Sequence, residues 1–209
     1  MKLSLKFLLI LNCIIQLSLM LISDKWILTN SFYASAIAEW NAGSIENIFP
    51  DEQLKWLIYS VAILLNLAKC LLLAALFYSG FKLAGCRISF RQGTEAVLLA
   101  DMIFLVPAAL KVAWFLIHPP SGFNEWQNSY PLSLLSLVDP ARLDMMWLYP
   151  LRILNAFELL YLLVLAFLFK RDTMSDYNTS LRIILKTYLP LLILWTGMTM
   201  IYTVKVSTL

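Results

Sequence analysis

The chain has 209 residues, 61% of them hydrophobic and 14% charged, with a formal net charge of +3. A soluble domain is about a quarter charged, and a water-soluble core of this size cannot hide so much apolar surface, so the excess must face lipid. A mild positive charge with no basic patch interleaved with exposed aromatics excludes a nucleic-acid partner.

A helix needs about 20 mostly apolar residues to cross a bilayer. Five stretches come near that length, at 7–22, 56–83, 96–117, 147–169 and 188–204. They predict an all-α fold: a polytopic integral membrane bundle of five transmembrane helices in one membrane domain, 1–209, with no repeat or linker.

Lys2 and Lys6 precede the first helix, as they would in a signal peptide. The cleavage-like Ala34-Ser35-Ala36 lies too far beyond the apolar run, and Leu11-Asn12-Cys13 lacks the small residue of a lipoprotein signal. The expectation is therefore an uncleaved helix. The segment 23–55 carries Asp24, Glu39, Glu46, Asp51 and Glu52 against Lys25 and Lys55. Its Trp26, Phe32, Tyr33, Trp40 and Phe49 suit a headgroup-level position.

The second helix places Lys69 near its middle, and Ala74, Ala75 and Ser79 offer a small-residue face for a membrane partner. Lys82, Arg87 and Arg91 follow it. In the third helix Asp101 falls toward one end and Lys111 toward the other, with Pro107 as a kink. Pro119-Pro120 ends that helix, and the segment 118–146 holds Glu125, Asp139 and Asp144 against Arg142. Within it, 131–139 is too short to span and predicts a short helix lying on the outer face or re-entering slightly.

The fourth helix carries Arg152, close enough to its outer end to snorkel, then Asn155 and Glu158, three residues apart and so on one face. Lys170, Arg171, Arg182 and Lys186 precede the fifth helix, which Pro190 opens. Every loop agrees with the positive-inside rule for an N-terminus in the cytoplasm and a C-terminus outside.

Ionisable groups at membrane depth are costly and need a partner or a task. Lys69 and Glu158 both fall near mid-helix, where they could pair. Lys69, Asp101, Asn155 and Glu158 form the candidate polar cluster, read either as a polar path or binding cleft or as a structural ion pair that fixes helix register.

The usual marks of catalysis are missing. His118 is the only histidine and sits beside two prolines; Cys13, Cys70 and Cys86 have no metal or redox spacing. There is no HExxH motif and no phosphate loop, and Asp101 and Glu158 lack the surroundings of intramembrane proteases. The acceptor pattern Asn178-Thr179-Ser180 falls on the expected cytoplasmic side. No enzyme activity, cofactor or metal is expected.

Three short motifs resemble the Yip-domain family of five-helix membrane proteins. They are Leu83-Ala84-Gly85 with Ile88-Ser89-Phe90-Arg91-Gln92, then Leu105-Val106-Pro107, then Leu154-Asn155-Ala156-Phe157-Glu158-Leu159-Leu160-Tyr161. The resemblance covers about 55–204. It lacks the long polar N-terminal region of the eukaryotic members, named for binding Rab-type GTPases, and so is closer to a bacterial relative in the cytoplasmic (inner) membrane. It implies a scaffold, assembly or transport-accessory protein with no chemistry to carry over. The alternative is a small permease or permease subunit using the polar cluster. Either would meet the lipid bilayer and a membrane-protein partner or a second copy of itself.

Overall fold

The computed structural model describes residues 4–29, 32–33, 52–139 and 142–207. Its helices are α1 (Leu5–Trp26), α2 (Glu52–Leu83), α3 (Phe90–Asp101), α4 (Leu105–Ile117), α5 (Phe123–Asn128), α6 (Met145–Ile153), α7 (Ala156–Thr173) and α8 (Tyr177–Ser207). Four helical stretches among the described residues are long and apolar enough to cross a membrane: Leu5–Trp26, Gln53–Leu83, Phe90–Ile117 and Tyr177–Lys205. The chain is an all-helical, multi-pass integral membrane protein. Trp40, Phe49 and the Ala34-Ser35-Ala36 stretch lie outside the described residues.

Local chemistry sets the helix ends. Ser4 caps α1, its hydroxyl accepting from the Phe7 amide. After α2, Gly85 takes φ +80°, and the Cys86 and Gly85 amides return to the Phe81 and Lys82 carbonyls. That pairing is a Schellman stop, which favours glycine because a side chain is strained at this φ. Ser89 and Gln92 then form a reciprocal capping box that starts α3.

A three-residue tight turn, Met102–Phe104, joins α3 to α4. Pro107, in the first turn of α4, has no amide to give and its ring crowds the carbonyl four residues back, at Ile103. The expected interruption of the third helix thus falls just before the proline.

The segment expected as one helix over 147–169 is two. α6 ends at Ile153 and α7 begins at Ala156. Both sides of the break pair with the segment before α6: the Leu134 amide donates to the Leu154 carbonyl at 2.9 Å and the Ala156 amide to the Leu132 carbonyl at 3.1 Å. Ser133 and Leu135 of that segment are buried. The 131–139 stretch turns Ser133 and Leu135 inward and leaves Leu132, Leu134, Leu137 and Val138 exposed, with its one helical turn at Leu134–Leu137. A polar break is tolerated where protein satisfies its backbone.

Asn155 completes the joint. Its carbonyl oxygen accepts from the Glu158 amide at 2.8 Å, and its amide donates to the Arg152 and Ile153 carbonyls at 3.2 and 3.0 Å. Asn155→Ala is expected to cost about 1 kcal/mol, the usual value of a lost cap. Asn155→Asp should recover part of it, because the acceptor survives and the donors do not. Denaturant titration of the purified protein measures both.

The core lies between α2, α3, α7 and α8. Cys70, Ala74, Phe77 and Phe81 form a buried stripe at helical spacing down α2. Of the small residues expected to face a partner, Ala74 is used inside the chain, while Ala75 and Ser79 stay exposed. Phe81 stacks on Phe169 at 4.5 Å between ring centres, and Phe77 meets Phe169 edge-on at 5.7 Å. α7 carries Glu158, Lys170, Arg171 and Asp172 and is the poorest candidate to face lipid; it buries Phe157, Tyr161, Leu162, Leu165, Ala166, Leu168 and Phe169 against its neighbours.

The last helix departs from expectation. α8 starts at Tyr177, not 188, so Pro190 lies inside it instead of opening it. Asp176 supplies the start, accepting from the Asn178 amide at 3.1 Å through its carboxylate. Arg182 and Lys186 look like loop residues by hydropathy, yet long basic side chains sit readily on a helix that leaves the apolar layer.

Candidate functional site

The polar groups of α1, α2 and α3 form one chain of contacts. Lys69 Nζ donates to Asp101 Oδ1 at 2.7 Å. Asn66 Nδ2, one turn away on α2, reaches Asp101 Oδ2 at 3.2 Å and Asn12 Oδ1 at 3.3 Å. Gln16 Nε2 donates to Asn12 Oδ1 at 2.8 Å, one turn along α1. The Lys69 ammonium also lies 5.4 Å from the Phe104 ring centre, at the tight turn after Asp101.

The pairing that the sequence left open, Lys69 with Glu158, does not form. Lys69 pairs with Asp101, and Glu158 accepts a hydrogen bond from the Tyr188 hydroxyl of α8. The physical reason is helix length. With the third helix read from 96, Asp101 falls near one end; α3 begins at Phe90, and those six residues at ~1.5 Å each put Asp101 about 9 Å further from the helix start. Glu158 belongs to the same neighbourhood, within electrostatic reach of both Lys69 and Asp101. Asn155 does not join the cluster: it sits before α7 and spends its side chain on the break.

Burial is uneven across the ion pair. The Asp101 side chain is 3% exposed and the Lys69 side chain 45%. Two buried polar groups close by are left without a hydrogen bond, Asn12 Nδ2 and the Tyr161 hydroxyl. Tyr161 packs against Phe104 at 5.0 Å and Tyr188 at 6.2 Å. The arrangement can hold or pass a charged or hydrogen-bonding group beside Lys69. Among the described residues no group of histidine, cysteine, aspartate or glutamate is placed to hold a metal ion.

The remaining ionisable residues of the sequence reading lie toward the other end of α4. Lys111 donates to the Trp126 carbonyl and lies over the Trp126 and Tyr130 rings at 4.3 and 5.1 Å. The Arg152 guanidinium covers the Tyr130 ring at 3.8 Å instead of reaching outward alone. Burial pushes the Tyr130 phenol up, against the pull of Arg152. In the turn before α5, the Ser121 amide and hydroxyl hold the Glu125 carboxyl below its ordinary range.

Attention to ionisable groups alone misses Asn12, Gln16, Asn66 and Tyr188. Three of them carried a signal: Asn12 and Gln16 stand four apart in an apolar run, and Asn66 stands three before Lys69, so each pair shares a helix face. Tyr188 had none, because its role depends on how α8 meets α7.

No family model matches the chain, and neither a curated protein nor a solved structure matches it.

Proposed function

We propose that this chain is a non-enzymatic transport protein, a small permease or the membrane subunit of one, working through Lys69, Asp101 and Glu158. The observation that carries the reading is the exposure of Lys69. Its side chain is 45% exposed near the middle of α2, while Leu65 and Leu72, one turn to either side on the same face, are exposed to the surroundings. A cation facing only hydrocarbon at that depth costs about 3 kcal/mol or more. The bond to Asp101 offsets part of that cost, and we read the uncovered part of the Lys69 side chain as the place where water, a ligand or another protein meets it.

One further feature supports transport. α6 and α7, laid end to end beside α8, make a fifth crossing with a break in it, and broken helices are a recurrent device of transporter sites. With five crossings, the positive-inside pattern of the loops supports an N-terminus in the cytoplasm and a C-terminus outside, and the Yip-like resemblance supports a bacterial inner membrane.

The test uses a cysteine at Leu72 in a chain whose Cys13, Cys70 and Cys86 are replaced by alanine. Labelling by a membrane-impermeant maleimide in intact cells is the expected result. Absence of labelling both in cells and in detergent micelles would sink the idea of a wet path beside Lys69.

A scaffold or transport-accessory role, as the Yip-like motifs imply, is the second reading. The same half-exposed ammonium favours it if a partner covers it. Labelling of Leu72Cys that appears only after a stoichiometric partner is stripped off would favour this reading over the first. The Yip-like motifs supply the Gly85 stop, the Ser89 cap, the turn before Pro107 and the Asn155 cap, so what they support most directly is a shared way of folding.

A further inference from the structure

A second site lies beyond the polar cluster, between α1, α2 and α4. It is a cavity of about 400 Å³, within the size range of small-molecule sites. Leu19, Met20, Ile58, Ala62, Leu105 and Ala108 make most of its wall, and Ile58 and Ala108 are exposed, so it opens sideways between α2 and α4. At ~30 Å³ each, about a dozen waters would fit, but an apolar wall offers them few partners.

One end is different. Asp24 and Lys55 form an ion pair at 3.0 Å, and Tyr33, Tyr59 and Lys111 stand around it. The Tyr59 hydroxyl is buried beside the Asp24 carboxylate, with no partner at full hydrogen-bond geometry. Lys111 is partly buried, and none of its contacts among the described residues is with a carboxylate: its partners are a backbone carbonyl, two aromatic rings and the like charge of Arg152. Among the described residues Asp24 is the one carboxylate lining the cavity, and Lys55 already holds it. Gln16, two turns of α1 further in, marks the opposite end about 12 Å away. The cavity is an apolar tube with a cationic, hydrogen-bond-donating head.

We infer that this cavity binds a single-chain amphiphile with an anionic head, such as a fatty-acid carboxylate, taken sideways from the bilayer with its head on Lys111, beside Tyr59, and its chain toward Gln16. Charge complementarity supplies the head, the apolar wall supplies the tail, and the lateral opening supplies the route. The site is separate from Lys69 and stands whether or not the transport reading does.

The test is photo-crosslinking of the full chain in nanodiscs with a diazirine-bearing dodecanoate, followed by peptide mapping. Label is expected on 19–28 and 105–112. Lys111→Gln should reduce it about tenfold, as loss of a charge-assisted hydrogen bond would, and Lys111→Arg should retain most of it. Lys170→Gln, at an exposed cation outside the cavity, should leave it unchanged, which separates the Lys111 contact from a general loss of charge. Ala108→Trp should fill the tube and remove the label, and if that variant misfolds the Lys111 pair decides alone. Unlabelled dodecanoate should compete, whereas acetate and inorganic phosphate should not. Competition by those short anions would overturn the amphiphile and leave a plain anion site. Label spread evenly over the exposed helix faces, or unchanged in Lys111→Gln, would overturn the site itself.

Discussion

Lys69→Met is expected to destabilise the folded protein by about 3 kcal/mol, the low end of the cost of breaking a buried ion pair, and to cost more than Asp101→Asn. The asymmetry follows from burial. Without Lys69, the Asp101 carboxylate stays almost fully enclosed, at 3% exposure, with the Asn66 amide at 3.2 Å and the weakly donating Cys70 thiol beside it. Without the Asp101 charge, Lys69 is left 45% exposed and can turn its ammonium outward along its flexible stem. Asp101→Asn should therefore cost about 1 kcal/mol, the net value of an ordinary hydrogen bond. Removing both charges, as Lys69→Met with Asp101→Leu, should return stability to within about 1 kcal/mol of the native chain, since an apolar pair often replaces a buried ion pair without loss. Denaturation in mixed micelles, run as a double-mutant cycle, reads all three. Equal losses for the two single variants would mean that Lys69 is as enclosed as Asp101, and the case for a solvent- or ligand-facing ammonium would fall with it. A stable double variant that has lost its cellular function would separate the working role of the pair from its structural one.

Gly80→Val is expected to lose about 3 kcal/mol and most of the properly assembled protein. α2 and α8 approach closely at this glycine: a Cβ there would sit 2.5 Å from Thr187 Oγ1 and 3.2 Å from its Cγ2. The threonine is not free to swing away, because its hydroxyl donates to the Ile183 carbonyl at 2.6 Å. Overpacking of this kind costs ~1–3 kcal/mol, and valine adds two methyl groups beyond the Cβ. Gly80→Ala is the milder case. Its clash is offset by about 1 kcal/mol of gained helix propensity, so its net effect should be small. The diagnostic variant is Gly80→Ala with Thr187→Ala. It removes the obstructing hydroxyl and methyl and keeps the propensity gain, so it should match or exceed the native chain in a detergent stability assay. Failure of that pair to recover would place the cost of Gly80 substitutions somewhere other than the α2–α8 contact. The distinction matters because, in lipid, helices are held together by close packing rather than by escape from water. A single crowded crossing can therefore undo the core that Phe77, Phe81 and Phe169 build beside it.

Much of this protein is settled along the chain itself. Membrane class follows from the apolar fraction alone, because no fold of this size can keep so much apolar surface from water. Helical identity follows too: each long apolar run must satisfy its own backbone in lipid. The punctuation is also local. Gly85 stops α2, Ser89 with Gln92 starts α3, and Pro107 follows a tightened turn, each through groups a few residues away.

What the sequence could not settle is which groups meet. Helix ends that run past the apolar layer, as at Phe90 and Tyr177, are invisible to hydropathy, and a shift of six residues was enough to bring Asp101 rather than Glu158 to Lys69. The break at Leu154–Asn155 depends on a partner strand of chain, 132–134, whose return depends on α6 lying along α8. The cavity beside Lys111 has no local signature, since it is the space left where α2 and α4 part around α1. Periodicity, capping and hydropathy act over one or two turns, about 5–10 Å of helix. The depth at which one helix passes another is decided by the summed packing of all of them, and in this chain that depth set Asp101 against Lys69.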